Sequence, residues 1–227
     1  MERVADTPQL VDIVYQRLMA AIVDTSLVPG QRIVQADLAA DLGVSRAPVS
    51  HALQVLKHQG LVRDSGKQGL EIAPIDPERV GNLYLIRSAL EQLAARGAAQ
   101  RMVAGTLGKS EIGTLQALLA AGERLDGKKA MSIRVQADID FHRALYGVSG
   151  NYSIAEVMEP LWPHLQRAMV LALEANQLRR QAWRQHRQIV DRIVAGDIDG
   201  SGQAASSHAY ESGIYVTERL RRALPPG

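Results

Sequence analysis

The stretch ADLAADLGVSRAPVSHALQVLKHQGL, residues 36–61, predicts two short helices joined by a tight turn. Gly43 stands where the first helix should end, because glycine adopts a left-handed conformation at little cost. Ser45 then follows as an N-cap, and Pro48 falls in the first turn of the second helix, where its missing N–H does little harm. Apolar residues at every third or fourth position give each helix one face that packs against the other.

The second helix leaves small, hydrogen-bonding and cationic side chains on its outer face. The N-terminal end of such a helix can enter the major groove of DNA, where arginine and serine contact base edges or phosphates. The alternative at this point is an ordinary helical hairpin inside a protein core. The candidate DNA-binding residues on this helix are Ser45, Arg46, Ser50, His51 and Lys57.

After the second helix the sequence predicts a β-hairpin. Residues 60–63 end the helix and begin an extended run, residues 64–69 contain two glycines typical of a turn, and residues 70–73 alternate like a second strand. Residues 33–34 would add a short strand to the same sheet. A helix-turn-helix followed by a hairpin is a winged helix, and Lys67 at the hairpin tip suits a phosphate or minor-groove contact.

This region contains three motifs in succession: Pro29-Gly30, LAADLGVSRAPV at residues 38–49, and AL-x-x-L-x-x-x-GLV at residues 52–62. Together they resemble the DNA-binding domain of the GntR family of bacterial transcription regulators, over residues 10–73. The family usually reads S-R-x-P-V-R-x-A-L. Here Ser50 replaces the second arginine and His51 follows it, so the resemblance does not carry over the operator sequence.

The charge of this region fits DNA binding by locally placed cations. The whole chain carries a net charge of +2, and residues 1–73 hold seven Lys and Arg against eight Asp and Glu, a net of −1. A broad basic surface is therefore absent, and binding should be weak for each monomer. We expect a homodimer that reads two half-sites of a palindromic double-stranded DNA operator.

Composition excludes several other classes of protein. The chain has no cysteine, which removes disulfides, thiolate metal sites and a cysteine nucleophile, and it is compatible with a reducing cytoplasm. No apolar run approaches the ~18 residues that a transmembrane helix needs, and no secretory leader is evident. We therefore expect a cytoplasmic protein without a membrane partner.

The second part of the chain predicts a bundle of helices. Asp76 suits an N-cap with Pro77 at the first helical position, so we place the domain boundary after residue 74. The fold class is thus mainly α, with a winged helix-turn-helix in residues 1–74 and an antiparallel all-helical domain in residues 75–227. On the first of its helices we expect Val80, Leu83, Ile86, Leu90 and Leu93 to face inward. The predicted helices span residues 77–103, 110–125, 129–147, 152–174 (kinked or split at Pro160 and Pro163), 177–195 and 203–222.

A possible metal site is spread over three of these helices. Asp138 and His142 are four residues apart and share one helical face. His186 and His208 each lie 11 residues from Asp197, so a helical hairpin that turns at Asp197 would bring them level. Three imidazoles and a carboxylate suit Zn²⁺, Ni²⁺, Co²⁺ or Mn²⁺. The alternative is that the histidines are unrelated surface or hydrogen-bonded residues.

Further motifs follow in the helical domain: YLIRSALEQLAARGAA at residues 84–99, D-x-x-F-H-R-A-L from Asp138, GVSGN at residues 147–151, and H-x-x-I-V-x-x-I-x-x-GD from His186. They resemble the FCD effector domain of the FadR subgroup of GntR regulators, over residues 78–215. The resemblance implies that Asp138, His142, His186 and His208 hold a divalent metal ion. It also implies that Arg87 faces the same cavity and meets an anionic ligand.

Three weaker candidates for effector binding accompany Arg87. Arg134 and Arg143 flank the Asp138 and His142 pair, and Asn151 belongs to the SGN motif, where a helix-end role is the alternative. For Arg87 the alternative is an exposed helical residue.

The sequence therefore predicts a ligand-responsive bacterial transcription regulator rather than an enzyme, and we expect a repressor. A small organic acid would bind at the metal and Arg87 and change the affinity for DNA. Three alternatives stay open: a regulator for which the metal ion is the signal, a mononuclear metalloenzyme that activates water, and a metal with a purely structural role. No motif in the sequence identifies the acid, the operator or the native metal.

Overall fold

The computed structural model describes residues 8–66, 69–125, 128–173 and 176–223. The chain divides into two compact units, the first ending at Ile75 and the second beginning at Asp76. Among the described residues, no helix combines the length and the apolar character needed to cross a lipid bilayer.

The first unit is a winged helix-turn-helix, as the sequence predicts. Its three strands form an antiparallel sheet in the order β1-β3-β2, so β3 lies in the centre. Arg63 on β2 donates to Glu71 on β3 at 2.6 Å, across the strand pair. Lys67, which we expected at the hairpin tip, lies outside the described residues. The elements of this unit are α1 (Pro8–Val23), β1 (Arg32–Ile33), α2 (Gln35–Leu42), α3 (Arg46–His58), β2 (Val62–Asp64) and β3 (Leu70–Ile72).

The turn between α2 and α3 has the geometry that the quoted stretch predicts. Gly43 has φ 66° and its N–H donates to the carbonyl oxygens at the end of α2. Val49, Leu53 and Leu56 of α3 are fully buried and pack against α1 and the sheet. The apolar face of α3 is thus buried in the core, and its opposite face is exposed to solvent.

The second unit is helical throughout its described part. Asp76 caps the first helix by accepting the N–H of Glu78 at 2.9 Å. Pro160 and Pro163 split the predicted fourth helix, as expected, and a short 3-10 turn at Glu159–Leu161 joins the two pieces. The helices are α4 (Pro77–Val103), α5 (Lys109–Arg124), α6 (Met131–Val148), α7 (Tyr152–Met158), α8 (Trp162–Ala172), α9 (Asn176–Val194) and α10 (Ile198–Ala223).

Helices α4 and α10 pack along each other in opposite directions. Ser201 near the start of α10 donates to the carbonyl of Ala95, while Gly213 near its end lies against Tyr84. A Cβ on Gly213 would overlap the Tyr84 side chain, so the glycine permits this close approach. The tight contact explains why the buried face of α4 is rich in alanine.

Two predicted features of these helices are wrong. Ile86 and Leu93 of α4 are 46% and 57% exposed, whereas Arg87 and Glu91 are buried in their place. The two charged residues form an ion pair, which offsets the free-energy cost that either charge would have if it were buried alone. Helix α10 starts at Ile198 rather than residue 203, because Asp197 accepts the N–H of Gly200 and caps it.

Candidate metal centre and effector cavity

Three helices of the second unit bring one carboxylate and three imidazoles together. Asp138 and His142 lie one turn apart on α6, His186 lies on α9, and His208 lies on α10. Each of the four offers one ligand atom, and these atoms lie within 4.8 Å of one another. The hairpin of α9 and α10 turns at Gly196, with φ 71°, and Asp197.

The donor atoms face a common point. The Nε2 atoms of His186 and His208 are 3.0 Å apart. Asp138 reaches toward two of the rings, with Oδ1 at 3.6 Å from Nε2 of His186 and Oδ2 at 3.7 Å from Nε2 of His142. Each imidazole therefore directs its Nε2 into the cluster, which is the arrangement that a shared ion requires.

The surroundings of His186 and His208 lower the pKa of both side chains. Burial, reinforced by the neighbouring imidazoles, lowers the pKa of His208 to about 3 and the pKa of His186 well below its usual range. The ring of Phe141 stacks on His186 at 4.2 Å, and the edge of Trp183 meets the same ring at 4.7 Å. Neutral imidazole is the form that binds metal, so the apolar walls favour ligation over protonation.

Neighbouring polar groups contact Nδ1 of two of the rings, the nitrogen that points away from the cluster. Nδ1 of His208 lies 2.9 Å from Oε1 of Gln185, and Nδ1 of His142 lies 2.9 Å from Oε1 of Glu91. Such contacts on the far nitrogen fix the rotation and tautomer of a metal-binding histidine. Nδ1 of His186 is buried without a hydrogen-bond partner among the described residues.

The cluster fits a divalent transition metal. Nε2 of His142 is buried and without a hydrogen-bond partner in the described part of the chain, although it points at the other ligands. Three neutral nitrogens and one carboxylate oxygen match the ligands of Zn²⁺, Ni²⁺ and Co²⁺, and the set leaves coordination positions for another oxygen ligand.

A cavity of about 120 Å³ opens beside this cluster. Asp138 of the cluster lines it together with Arg87 and Arg134, two of the predicted effector residues. The hydroxyl of Tyr84 and Nη2 of Arg87 are buried and lack a hydrogen-bond partner of normal geometry among the described residues. Much of the wall is apolar, with Met131, Val135, Met169, Leu173 and Val216, and polar side chains including Gln185 and Glu211 also line it. A small anion with an apolar body suits such a cavity.

Other predicted residues lie elsewhere in the helical unit. Asn151 caps α7 by accepting the N–H of Ser153 at 3.2 Å, and it is not among the residues that line the cavity. Arg143, which also flanks the metal-binding helix, pairs with Glu159 at the surface at 2.6 Å.

In the first unit, four of the predicted DNA-binding residues lie at the N-terminal end of α3, and Lys57 lies in its last turn. Arg46 and His51 are exposed, Ser50 is half-buried, and Ser45 caps the helix with its side chain free of a cap hydrogen bond. Lys57 forms an ion pair with Asp64 of β2 at 2.8 Å, which ties the far end of α3 to the wing.

The sequence analysis missed Glu91, Gln185 and Trp183. Glu91 follows Arg87 by four residues, a spacing that signals an ion pair on one helical face, although not its burial. Trp183 packs where a Cβ on Gly122 would overlap its ring, and this contact joins segments far apart in sequence. No local pattern marks the role of Trp183 or Gln185.

Two family models match the chain. The model described as "FCD domain" matches residues 82–211, and the model described as "Bacterial regulatory proteins, gntR family" matches residues 10–72. Both matches fall on the regions that carry the motifs quoted above. Their members are regulators rather than enzymes.

Curated relatives share the whole length of this architecture. An "Uncharacterized HTH-type transcriptional regulator in unstable DNA locus" of Streptomyces ambofaciens is 29% identical over 93% of this chain and 86% of its own length. The "Nta operon transcriptional regulator" of Aminobacter aminovorans is 26% identical over 86% of this chain and 89% of its own length.

Solved structures share the fold. The structure described as "E. coli McbR/YncC" superposes with a TM-score of 0.77 at 21% identity, covering 93% of this chain and 98% of its own. A transcriptional regulator from Rhodococcus sp. RHA1 gives a TM-score of 0.77 at 22% identity, covering 92% and 98%.

Proposed function

The chain belongs to the GntR family of bacterial regulatory proteins and carries an FCD domain, and from that premise we propose that a small organic acid, bound beside a divalent metal ion, controls its affinity for DNA. The observation that carries the proposal is the shared cavity. Asp138, a member of the metal cluster, and Arg87 line the same space. A carboxylate in that space would meet both a metal ion and a guanidinium group.

The first unit would bind DNA through the exposed end of α3. Arg46 and Ser45 would enter the major groove, and the wing would follow the phosphate backbone. With a net charge of −1 in residues 1–73, one copy holds DNA weakly. The protein would therefore act as a homodimer on a palindromic operator, in the cytoplasm, as a repressor.

The acid would act by shifting a conformational equilibrium. It can change DNA affinity only to the extent that it binds the DNA-competent and DNA-incompetent arrangements with different affinity. The metal would have two tasks: it would hold α6, α9 and α10 together, and it would supply a cation for the oxygen atoms of the acid.

The experiment begins with native mass spectrometry of the purified protein, before and after treatment with a chelator. We expect a divalent metal and a small acid, both lost on chelation. An operator selected from random double-stranded DNA then serves for gel shifts with and without the acid that was identified. If DNA affinity follows the metal concentration and ignores the acid, the protein is a metal-responsive regulator instead. Turnover of the acid by the metal-loaded protein would favour the metalloenzyme alternative.

A further inference from the structure

Glu91 of α4 contacts His142 of the candidate metal cluster and Arg87 of the cavity wall. Its side chain is fully buried. Nε of Arg87 and the hydroxyl of Tyr146 donate hydrogen bonds to one oxygen, Oε1, at 2.6 Å and 3.0 Å, and Nδ1 of His142 lies 2.9 Å from the same oxygen. The other oxygen, Oε2, has no hydrogen-bond partner among the described residues. Glu91 is thus a charged side chain that contacts both His142 of the cluster and Arg87.

The contact with His142 determines which nitrogen faces the metal. Nδ1 points to Glu91 on one side of the ring, and Nε2 points to Asp138 on the other. A carboxylate behind Nδ1 holds the proton on that nitrogen, so Nε2 keeps its lone pair for the ion. Nδ1 of His142 has no hydrogen bond of regular geometry among the described residues, so its contact with Glu91 is a close approach of 2.9 Å rather than an aligned hydrogen bond.

The contact with Arg87 determines how the guanidinium presents itself to the cavity. Glu91 occupies Nε, while Nη2 is left without a hydrogen-bond partner among the described residues at the cavity wall. The guanidinium also lies 5.1 Å from the ring of Trp162 and 5.4 Å from the ring of Tyr84, which limits its rotation.

We propose that Glu91 is a positioning residue for both ligands, orienting His142 for the metal ion and Arg87 for the carboxylate of the effector. This inference rests on the proposed function, since it assumes that both ligands bind. A carboxylate that merely neutralised Arg87 would affect the acid and the stability of the fold, but would leave the metal site intact. The two roles therefore predict different metal affinities.

The main test is the affinity for Zn²⁺, measured on the full chain by competition with a chelator. Glu91→Gln removes the charge and keeps the shape, and we expect Zn²⁺ to bind about 10–100-fold more weakly than in the wild type. Glu111→Gln is the control for the substitution itself, because Glu111 forms a partly exposed ion pair with Arg101, at 2.8 Å, outside the site. The control should bind Zn²⁺ like the wild type.

The second measurement uses sodium butyrate, a carboxylate with a short apolar tail, and its neutral analogue butyramide. Calorimetry at saturating Zn²⁺ separates the acid from the metal. We expect butyrate to bind the wild type and the Glu111→Gln control in preference to butyramide. Glu91→Gln should lose at least ~10-fold in butyrate affinity, in the same variant that lost metal affinity.

A pair of variants keeps the test valid if Glu91→Gln fails to fold with Arg87 unneutralised. Arg87→Met retains Glu91 behind His142, and Arg87→Met/Glu91→Gln removes it without leaving a buried charge. The double variant should bind Zn²⁺ about 10–100-fold more weakly than Arg87→Met. Equal affinities would mean that Glu91 serves Arg87 alone, which overturns the proposal.

The tautomer of His142 gives an independent result on the wild type. In the zinc-loaded protein, ring ¹⁵N NMR should show the proton of His142 on Nδ1 and the metal on Nε2, and loss of Glu91 should shift that Nδ1–H signal. Ligation through Nδ1 would overturn the proposal. If the wild type takes up no Zn²⁺, the proposed function fails as well. If it binds Zn²⁺ and Glu91→Gln is unchanged, only the positioning role is wrong.

Discussion

The rings of His186 and His208 meet across the hairpin of α9 and α10, with their Nε2 atoms 3.0 Å apart. At this distance both rings cannot carry a proton on the facing nitrogens, and burial lowers the pKa of each. The two nitrogens can share one proton in an N–H···N hydrogen bond, or both can direct a lone pair at a bound cation. The predictions below follow from this pair, from Arg87 and from the exposed face of α3.

The histidine pair should be necessary for metal binding. His186→Ala and His208→Ala each leave an incomplete site, and each should lower Zn²⁺ affinity by at least ~100-fold. The binding free energy of a four-ligand zinc site is about 10–16 kcal/mol, so each ligand contributes several kcal/mol. Elemental analysis after dialysis measures the loss. His164→Ala is the control, since His164 is outside the cluster. Full occupancy in the double variant His186→Ala/His208→Ala would contradict the assignment.

Arg87 should serve the acid and not the metal. Arg87→Ala should weaken a carboxylate effector by at least ~10-fold, since it removes a planar two-donor contact. Because Glu91 then stays buried without its guanidinium partner, unfolding free energy should fall by about 3–5 kcal/mol. Calorimetry and urea denaturation measure the two effects. Arg143→Ala, which opens a surface ion pair, should change neither, and loss of metal in Arg87→Ala would refute this division of roles.

The metal-free protein should lose stability on acidification. His186 and His208 have a lowered pKa in the folded state and an ordinary pKa of ~6.5 when unfolded, so below that pH the unfolded chain binds more protons. Stability is therefore complete above pH ~6.5 and falls as the pH drops, by about 2–3 kcal/mol between pH 7.5 and 5.5 for the two groups. Urea titrations in the presence of a chelator measure it. The double variant His186→Gln/His208→Gln should lose most of this dependence, and an unchanged slope would show that other groups cause it.

Arg46 should be required for specific DNA binding. It is exposed at the first turn of α3, where arginine reaches base edges, and Arg46→Ala should cost about 1–3 kcal/mol per half-site. Gel shifts on the selected operator at fixed salt measure the cost. Arg17→Ala removes an equal charge from the exposed face of α1 and should have a smaller effect. Wild-type affinity in Arg46→Ala would mean that α3 is not the recognition helix.

Ser50 marks the departure from the usual family pattern. Ser50→Arg should restore a phosphate contact, raise non-specific affinity, and steepen the dependence of log K on log salt by about one unit. The slope is measured by fluorescence anisotropy on a non-operator duplex at several salt concentrations. Ser50→Ala should keep the wild-type slope. If Ser50→Arg keeps it too, residue 50 does not face the DNA backbone.

The short-range signals in the sequence translated directly into structure. Gly43 ends α2 because glycine adopts the left-handed conformation easily, and Asp76 starts α4 because its carboxylate accepts a first-turn N–H. The prolines at 160 and 163 split a helix because they lack an N–H and fix φ. The equal spacing of His186 and His208 about Asp197 also predicted that they lie close together. In an antiparallel helical hairpin, residues equally far from the turn lie side by side.

Sequence alone therefore determined the winged helix-turn-helix, the helical domain and the set of four residues that the fold brings together around Asp138. Tertiary structure decided which face of α4 is buried. Apolar spacing favoured Ile86 and Leu93, but α10 approaches α4 so closely that alanines fill the contact and the Arg87–Glu91 pair occupies the interior. Burial of that pair depends on partners from α6 and α8, among them Tyr146, His142 and Trp162. These residues are distant in the chain, and the free energy of burying a charge is set by the neighbours that neutralise it, which no local pattern records.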